Sequence, residues 1–182
     1  MGPFTTSRLY LRRIQLDDLE TIWAQLYQDF TVYGQYSGIG GDYAAVEERV
    51  RHYAYQPLHS EFGRLAVTRK EGGALIGQVH LDPHPILTAD FDGDGFPFNR
   101  TEVELAFVFG RDYWGQGYAY ESCLPLIDYA FKTLKLPRLV GGVMASNHRS
   151  VALHKRLGYR LIPNPDKNDP VDLITVLDNP GL

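Results

Sequence analysis

The sequence contains a single cysteine, Cys123, in 182 residues. One cysteine excludes a framework of internal disulfide bonds, and this usage fits a reducing cytoplasm. No apolar run reaches the roughly 18 residues of a membrane-spanning helix, and residues 1–13 lack the apolar stretch of a signal peptide. We therefore expect a cytoplasmic protein with no membrane partner.

An excess of basic residues is also missing. Lys and Arg number 18 against 22 Asp and Glu, which gives a formal net charge of −4. A general nucleic-acid binder needs a basic surface, so no nucleic-acid partner is expected. The length and the 44% hydrophobic content are typical of one globular domain with a substantial core. We expect one domain over residues 1–182, as a monomer or a homodimer.

Hydrophobic periodicity predicts seven strands and four helices in the order β-α-α-β-β-β-α-β-α-β-β. Loops are expected over residues 33–43 and 83–100, and Pro125 is expected to bend the helix that contains it. Strands alternating with helices in this way predict an α/β fold, with a mixed sheet and helices packed on its faces. The expected strands are 8–14, 64–70, 74–81, 102–109, 138–144, 158–163 and 171–178.

The segment RDYWGQGYAYES, residues 111–122, joins the strand EVELAFVF to a helical pattern. Gly115 and Gly117 allow unusual dihedral angles and a close approach of the backbone to a ligand. At a helix N-terminus, backbone N–H groups and the helix dipole attract an anion. A tight turn without a ligand explains the fragment equally well, because short glycine motifs match by chance.

A second motif distinguishes these two interpretations. NHRSVALHKRLGY, Asn147 to Tyr159, is typical of a capped helix that ends at a glycine. Together the two stretches resemble the GNAT N-acetyltransferase superfamily, in which a Q/R-x-x-G-x-G/A loop precedes an N-x-x-A/S-x-x-L helix. Gly117 and Ala119 match the small positions of that loop, and Trp114 stands where Gln or Arg is usual. Trp-Gly-x-Gly-Tyr-Ala-x-Glu is similar to the RimJ/RimL-like branch.

The resemblance spans residues 8–178 and implies a mostly antiparallel sheet of about seven strands with four helices. It implies acetyl-CoA as the acyl donor, with no metal, and an amine acceptor that is a small molecule or a protein N-terminus. It also implies a set of residues that contact the cofactor: Ala106, Phe107, Val108, Trp114, Gly115, Gln116, Gly117, Tyr118, Ala119, Asn147, Ser150 and His154.

The reaction implied by the resemblance needs a base, an oxyanion contact and a proton for the departing thiolate. Glu102 and Glu104 lie two apart on one strand, so both project from the same face. The family position of the base matches Glu104 best, and Glu102 is the second candidate; a salt-bridged or solvent-facing pair is the alternative. Backbone N–H groups near Ala106 and Phe107 are the expected oxyanion contact.

His154 occupies the position at which the family often has a tyrosine proton donor. An imidazole can donate a proton near neutral pH, but His154 is also compatible with simple packing beside the cofactor. Asn147 likewise fits a plain helix N-cap, a role that does not exclude cofactor contact.

Other classes of site remain open. DFDGDG, residues 90–95, resembles the start of a calcium loop but lacks Glu at its twelfth position, where Thr101 stands. His80, Asp82 and His84 would share a strand face as a metal trio, although prolines interrupt that strand. Cys123 lies among apolar helix residues and is expected in the core. A non-catalytic acyl-CoA sensor is the alternative to an enzyme.

Overall fold

The computed structural model describes residues 1–34, 41–56, 60–86, 100–166, 169 and 171–181, without the side chains of residues 84–86 and 100. The chain divides into two compact units. Unit 1 comprises residues 1–81 and 106–126, and unit 2 comprises residues 82–105 and 127–182. The predicted loop over residues 33–43 lies largely outside the described residues, as do residues 87–99.

Within the described residues, eight strands form one mixed sheet in the order β1-β2-β3-β4-β5-β6-β8-β7. The pairing of β5 with β6 is parallel, and the pairs β1–β2, β2–β3, β3–β4, β6–β8 and β7–β8 are antiparallel. This confirms the predicted α/β fold with a mostly antiparallel sheet. The strands are β1 Phe4–Thr5, β2 Leu9–Arg13, β3 Gly63–Arg69, β4 Leu75–Ile86, β5 Arg100–Phe109, β6 Arg138–Val143, β7 Arg160–Pro163 and β8 Leu173–Asp178.

Five α-helices accompany the strands in the described part of the chain: α1 Leu19–Ile22, α2 Phe30–Tyr33, α3 Tyr43–Ala54, α4 Tyr118–Asp128 and α5 His148–Arg156. A 3₁₀ turn precedes α1, and π-helical turns extend α1 over Trp23–Tyr27 and α4 over Tyr129–Thr133. The Asp42 carboxylate caps α3 by accepting the N–H of Ala44 at 2.9 Å. Acids, amides and hydroxyls at this position satisfy N–H groups that the first helical turn leaves without a carbonyl.

The elements differ from the sequence prediction in three places, two in their number and one in their bounds. β1 has two residues, which is too short for an alternating pattern to be recognised. α2 has four residues and lies next to the predicted loop. The predicted loop over residues 83–100 is wrong at both ends, because β4 continues through Pro83 to Ile86 and β5 begins at Arg100. The pairing of β4 with β3 ends at Leu81, so Pro83 lies beyond the part of β4 that needs an N–H for β3.

The core of unit 1 lies between the strands and the helices α1 to α3. Its fully buried members include Ile22, Leu26 and Ala66, and Trp114 packs against the same cluster. Gly77 of β4 makes this packing possible, since a Cβ there would lie 2.5 Å from Phe109 Cδ1 and 2.6 Å from the Val108 carbonyl oxygen. The end of β5 therefore approaches β4 through a position where only glycine fits.

The core of unit 2 lies on β6 and β8, where Val140, Ile174 and Val176 are buried and Ile162 packs against them. Gly141 of β6 pairs with Thr175 of β8. A Cβ at Gly141 would lie 2.9 Å from Thr175 Oγ1 and 3.7 Å from His154 Nε2. The Thr175 hydroxyl therefore lies where a side chain at Gly141 would have to fit, whereas His154 is at an ordinary van der Waals distance.

Pro125 lies inside α4, which continues to Asp128 and then widens into the π-helical turn. Proline cannot donate to the carbonyl four residues earlier, and irregular hydrogen bonding often accompanies it. The bend expected at Pro125 stays a prediction.

Candidate active site

The two candidate carboxylates lie on β5, within unit 2. Glu102 is buried, and its Oε1 lies 3.6 Å from Nε of Arg138 on β6. Glu104 is half-buried and stands in register with Val140 of β6. Glu102 therefore shows the ion pairing that was the alternative to a catalytic role, and the more accessible Glu104 is the better candidate for a base.

The end of β5 and the glycine turn lie within unit 1. Ala106 and Phe107 are half-buried, whereas Val108 is buried. Gly115 has φ +73° and Gly117 has φ +79°, in the left-handed region that favours glycine. A Cβ added at Gly115 would meet no atom within 4 Å, so the space above that residue is open. These dihedrals are the backbone geometry that the motif predicted.

α4 begins at Tyr118, directly after Gly117, and runs for 11 residues. The N–H groups of its first turn have no carbonyl partner within the helix, and the helix dipole adds partial positive charge at the same end. Ala119 is half-buried in this turn, and its carbonyl accepts a hydrogen bond from Ser122 Oγ at 3.0 Å. Gln116 is exposed and donates from Nε2 to the Asp112 carbonyl at 2.8 Å. The turn can therefore hold an anion with backbone groups.

Trp114 anchors the turn to β5. Its indole Nε1 donates to the carbonyl of Phe109 at 2.7 Å, and the ring packs on the core of unit 1. Tryptophan at this position both donates a hydrogen bond and packs a large apolar surface on the core. Gln or Arg could donate a hydrogen bond but would lack the apolar ring.

Arg8 was not among the sequence-predicted site residues, yet it contacts the turn directly. Its Nη1 donates to the Gln116 carbonyl at 3.0 Å, and its guanidinium lies over the Tyr118 ring, 4.4 Å from the centroid. Nη2 would lie 3.5 Å from a Cβ at Gly117. Arg8 lies far from the glycine motif along the chain, so no local sequence pattern could predict this contact.

Glu121, the last residue of the Trp-Gly-x-Gly-Tyr-Ala-x-Glu pattern, holds Arg8 in place. Its Oε1 accepts from Thr6 Oγ1 at 2.6 Å, from Ser7 Oγ at 2.9 Å and from the Arg8 N–H at 2.8 Å. Its Oε2 accepts from Arg8 Nε at 2.7 Å. Burial alone would raise the pKa of Glu121, but these hydrogen bonds outweigh burial and lower the pKa to about 2. Glu121 is therefore an ionised anchor for the segment that leads into β2.

Asn147 caps α5 in unit 2, as predicted. Its Oδ1 accepts the N–H of Ser150 at 3.1 Å, and both residues are half-buried. Gly158 has φ +94° just after the helix, which confirms the predicted left-handed glycine at its C-terminal end. The cap leaves the Asn147 side-chain amide nitrogen as a donor for a second contact.

His154 is buried on α5. Its Nδ1 lies 2.8 Å from the Ser150 carbonyl and 3.3 Å from Ser150 Oγ, and its ring meets Tyr159 edge to face at 5.1 Å. Burial lowers the pKa of His154, and the hydrogen bond to the Ser150 carbonyl opposes that shift only in part. The carbonyl contact favours the tautomer that carries its proton on Nδ1. His154 is thus held neutral, with one nitrogen committed to its own helix.

The comparison with protein families decides the identity of this arrangement. Residues 8–160 match a family model described as the acetyltransferase (GNAT) domain. The chain belongs to the GNAT acetyltransferase family. The resemblance read from the glycine turn and the Asn147 helix is confirmed at the level of the family, and the protein is an acetyltransferase.

Relatives and solved structures agree with this assignment. This GNAT acetyltransferase is 27% identical to the uncharacterized N-acetyltransferase p20 of Bacillus licheniformis, over 88% of this chain and 83% of that protein. An acetyltransferase structure from Agrobacterium tumefaciens is 28% identical and has a TM-score of 0.72, covering 97% of this chain and 94% of that one. The ribosomal-protein-S5-alanine acetyltransferase of Vibrio fischeri shares the fold at 16% identity, with a TM-score of 0.68 over 98% and 97% of the two chains.

The glycine turn of this GNAT acetyltransferase fits the diphosphate of coenzyme A. Glycines with positive φ, open space above Gly115 and the start of α4 provide an uncrowded row of backbone donors. The residues present therefore fit the donor that the family uses.

Competing sites in the GNAT acetyltransferase are weaker. Cys123 is buried, and burial raises the pKa of its thiol to about 12 despite a hydrogen bond from Ser122, which confirms the core location and argues against a nucleophile. His80 is also buried, and burial together with the charges of Arg64 and Arg49 lowers its pKa well below the usual value. The DFDGDG segment lies outside the described residues, as does the side chain of His84.

Among the residues that the structure describes, no cluster of three or more His, Cys, Asp or Glu side chains of the GNAT acetyltransferase could hold a metal ion. Within the same residues, no helix is long and apolar enough to cross a membrane.

Proposed function

We propose that this GNAT acetyltransferase transfers an acetyl group from acetyl-CoA to a primary amine by direct attack of the amine. The glycine turn carries the proposal, because Gly115 and Gly117 have positive φ and lie directly before the N-terminus of α4. When bound, acetyl-CoA supplies the acetyl group as an activated thioester. A cytoplasmic location, as the single cysteine indicates, remains a prediction.

The backbone from Trp114 to Ala119 would hold the diphosphate. Its open turn supports that role, and the Trp114 indole keeps the turn attached to β5. Asn147 and Ser150 would contact the pantetheine arm, since the cap of α5 leaves the Asn147 amide nitrogen as a donor. Ala106, Phe107 and Val108 would supply backbone N–H groups to the pantetheine and to the oxyanion of the thioester carbonyl.

Glu104 would be the base that takes a proton from the amine. A lysine-like amine with pKa near 10.4 is almost fully protonated at pH 7, whereas an α-amine near 8 needs less assistance. Glu104 is half-buried, while Glu102 is buried beside Arg138. This difference in exposure supports Glu104 as the first-choice base. Glu102, which pairs with Arg138, is the second candidate.

His154 was expected either to protonate the thiolate or to pack beside the cofactor. Its burial, its lowered pKa and the contact of Nδ1 with the Ser150 carbonyl support the packing role. Proton donation from this residue would first require an imidazolium that its surroundings disfavour.

The acceptor class is the finer part of the proposal. We assign the chain to the RimJ/RimL-like branch on its Trp-Gly-x-Gly-Tyr-Ala-x-Glu pattern, in which Glu121 locks Arg8 against the turn. A protein N-terminus or a small-molecule amine is the proposed acceptor.

The test is a panel of peptide N-termini and small amines with acetyl-CoA, read by release of free thiol, beside calorimetric binding of CoA. Amine-dependent thiol release supports the proposal. CoA binding with no turnover across the panel would favour the non-catalytic acyl-CoA sensor. If the protein bound no CoA, the proposed function would be wrong.

A further inference from the structure

Arg8 makes three separate contacts around the glycine turn. Nε donates to Glu121, Nη1 donates to the Gln116 carbonyl, and the guanidinium plane covers the Tyr118 ring. All these residues belong to unit 1. The planar guanidinium presents its donors in a fixed fork, so two contacts with different partners also fix its orientation.

The contact with the Gln116 carbonyl has a direct consequence for Gly117. In a planar trans peptide, the carbonyl oxygen and the following N–H point in opposite directions. Holding the Gln116 oxygen on the Arg8 side therefore turns the Gly117 N–H away from Arg8. Glycine has little steric preference of its own at this position, so an external contact can select one direction of the peptide.

Arg111, three residues before Trp114 in the chain, pairs with a carboxylate outside the turn. Arg111 is exposed, and its Nε lies 3.3 Å from Oδ2 of Asp29. Arg8, in contrast, is oriented towards the turn by Glu121, which accepts from both its backbone N–H and its Nε. Because the charges of Glu121 and Arg8 cancel, the pair adds no net positive charge at the turn. Its effect on the turn is therefore to orient the Gln116 carbonyl through Arg8.

We propose that Arg8 is a positioning residue for diphosphate binding, which fixes the Gln116–Gly117 peptide so that its N–H is available to the anion. This inference rests on the proposed function, since it assumes that the turn binds the diphosphate of CoA. Glu121 acts through Arg8 by holding its guanidinium and backbone in one place.

The experiment compares acetyl-CoA with S-acetyl-pantetheine, a donor without the diphosphate, in wild type, Arg8→Ala and Arg8→Lys. In Arg8→Ala, the ratio of kcat/KM for acetyl-CoA to that for S-acetyl-pantetheine should fall about tenfold, as expected for one charge-assisted hydrogen bond. The loss should appear in KM for acetyl-CoA and in the calorimetric Kd of CoA. Arg8→Lys should not restore the ratio, because an ammonium lacks the planar fork.

Arg160→Ala is the matched control, since Arg160 also pairs with a carboxylate, Asp178, at 3.0 Å and has a similar exposure. It should leave the ratio unchanged. Melting temperatures of all variants separate loss of fold from loss of orientation. An unchanged ratio in Arg8→Ala, an equal loss with both donors, or full rescue by lysine would each overturn the inference while CoA binding by the wild type stands. A wild type that does not bind CoA would overturn both the proposed function and the inference.

Discussion

Glu102 and Arg138 face each other on the parallel strands β5 and β6, with 3.6 Å between Oε1 and Nε and little exposure of either side chain. The pair gives the acidic motif of β5 two distinct members. Glu102 is buried and pairs with the partly buried Arg138 in unit 2, whereas Glu104 is more accessible to solvent.

Glu102→Gln should destabilise the protein by about 1–3 kcal/mol, because it leaves the partly buried Arg138 charge without the carboxylate. Chemical denaturation measures the loss. The double variant Glu102→Gln, Arg138→Gln is the control and should recover part of the stability, since it removes the unbalanced charge. Equal stability of the wild type and Glu102→Gln would show that the pair contributes nothing.

Glu104→Gln should lower kcat at pH 7 by roughly 100-fold or more, the usual contribution of a positioned base. The amide keeps the size of the side chain but cannot take the amine proton. Thiol release measures turnover, and calorimetry should show an unchanged Kd for CoA. Residual activity equal to that of the wild type would remove Glu104 from the mechanism.

Ionised Glu121 should make the folded protein less stable as the pH falls below about 4.5. Its pKa falls from 4.5 to about 2 on folding, so the stabilisation is complete above about 4.5 and disappears as the pH falls towards 2. Glu121→Gln should therefore melt below the wild type at pH 6, and the two melting curves should converge towards pH 2. Asp128→Asn, at an exposed ion pair with Lys132, is the control and should have a small effect.

Buried His154 should make the folded protein less stable as the pH falls below about 6.5. Its folded pKa is lower than its ordinary value of 6.5, so the unfolded chain binds the proton more tightly. Stability is then present above pH 6.5 and falls as the pH drops through the folded pKa. His154→Gln should show a smaller loss of melting temperature between pH 7.5 and pH 5 than the wild type. His80 contributes a loss of the same sign and remains in both proteins. Parallel melting curves would contradict this assignment.

Gly77→Ala should destabilise unit 1 by about 1–3 kcal/mol, because the new Cβ would overlap the Phe109 ring and the Val108 carbonyl. A backbone oxygen cannot rotate away as a flexible side chain can. Gly2→Ala, where a Cβ meets nothing within 4 Å, is the matched control. Denaturation midpoints compare the two variants.

Local patterns explain which parts of the structure the sequence could predict. The Asn147 cap, the left-handed Gly158 and the buried Cys123 each depend on a few neighbouring residues, and each is confirmed. The two-residue β1 is too short to show an alternating pattern. The continuation of β4 through Pro83 could not be predicted, because it depends on where the pairing of β4 with β3 ends.

The candidate site shows the same division. The glycine dihedrals followed from the motif, but the contact of Arg8 with Gln116 joins distant parts of the chain and has no local signal. The ion pair of Glu102 likewise required the position of Arg138 on the neighbouring strand. Roles that depend on a tertiary partner could be narrowed to alternatives by the sequence, but not decided.

The hydrogen bonds between Arg8 and Glu121 join residues 113 positions apart. Contacts at such separation carry the entropy cost of closing a long loop before they contribute stability, and they slow folding. During synthesis, Arg8 leaves the ribosome long before its partner exists. A fragment of the chain that ends before α4 would contain residues 6–8 without the Glu121 carboxylate that accepts their hydrogen bonds.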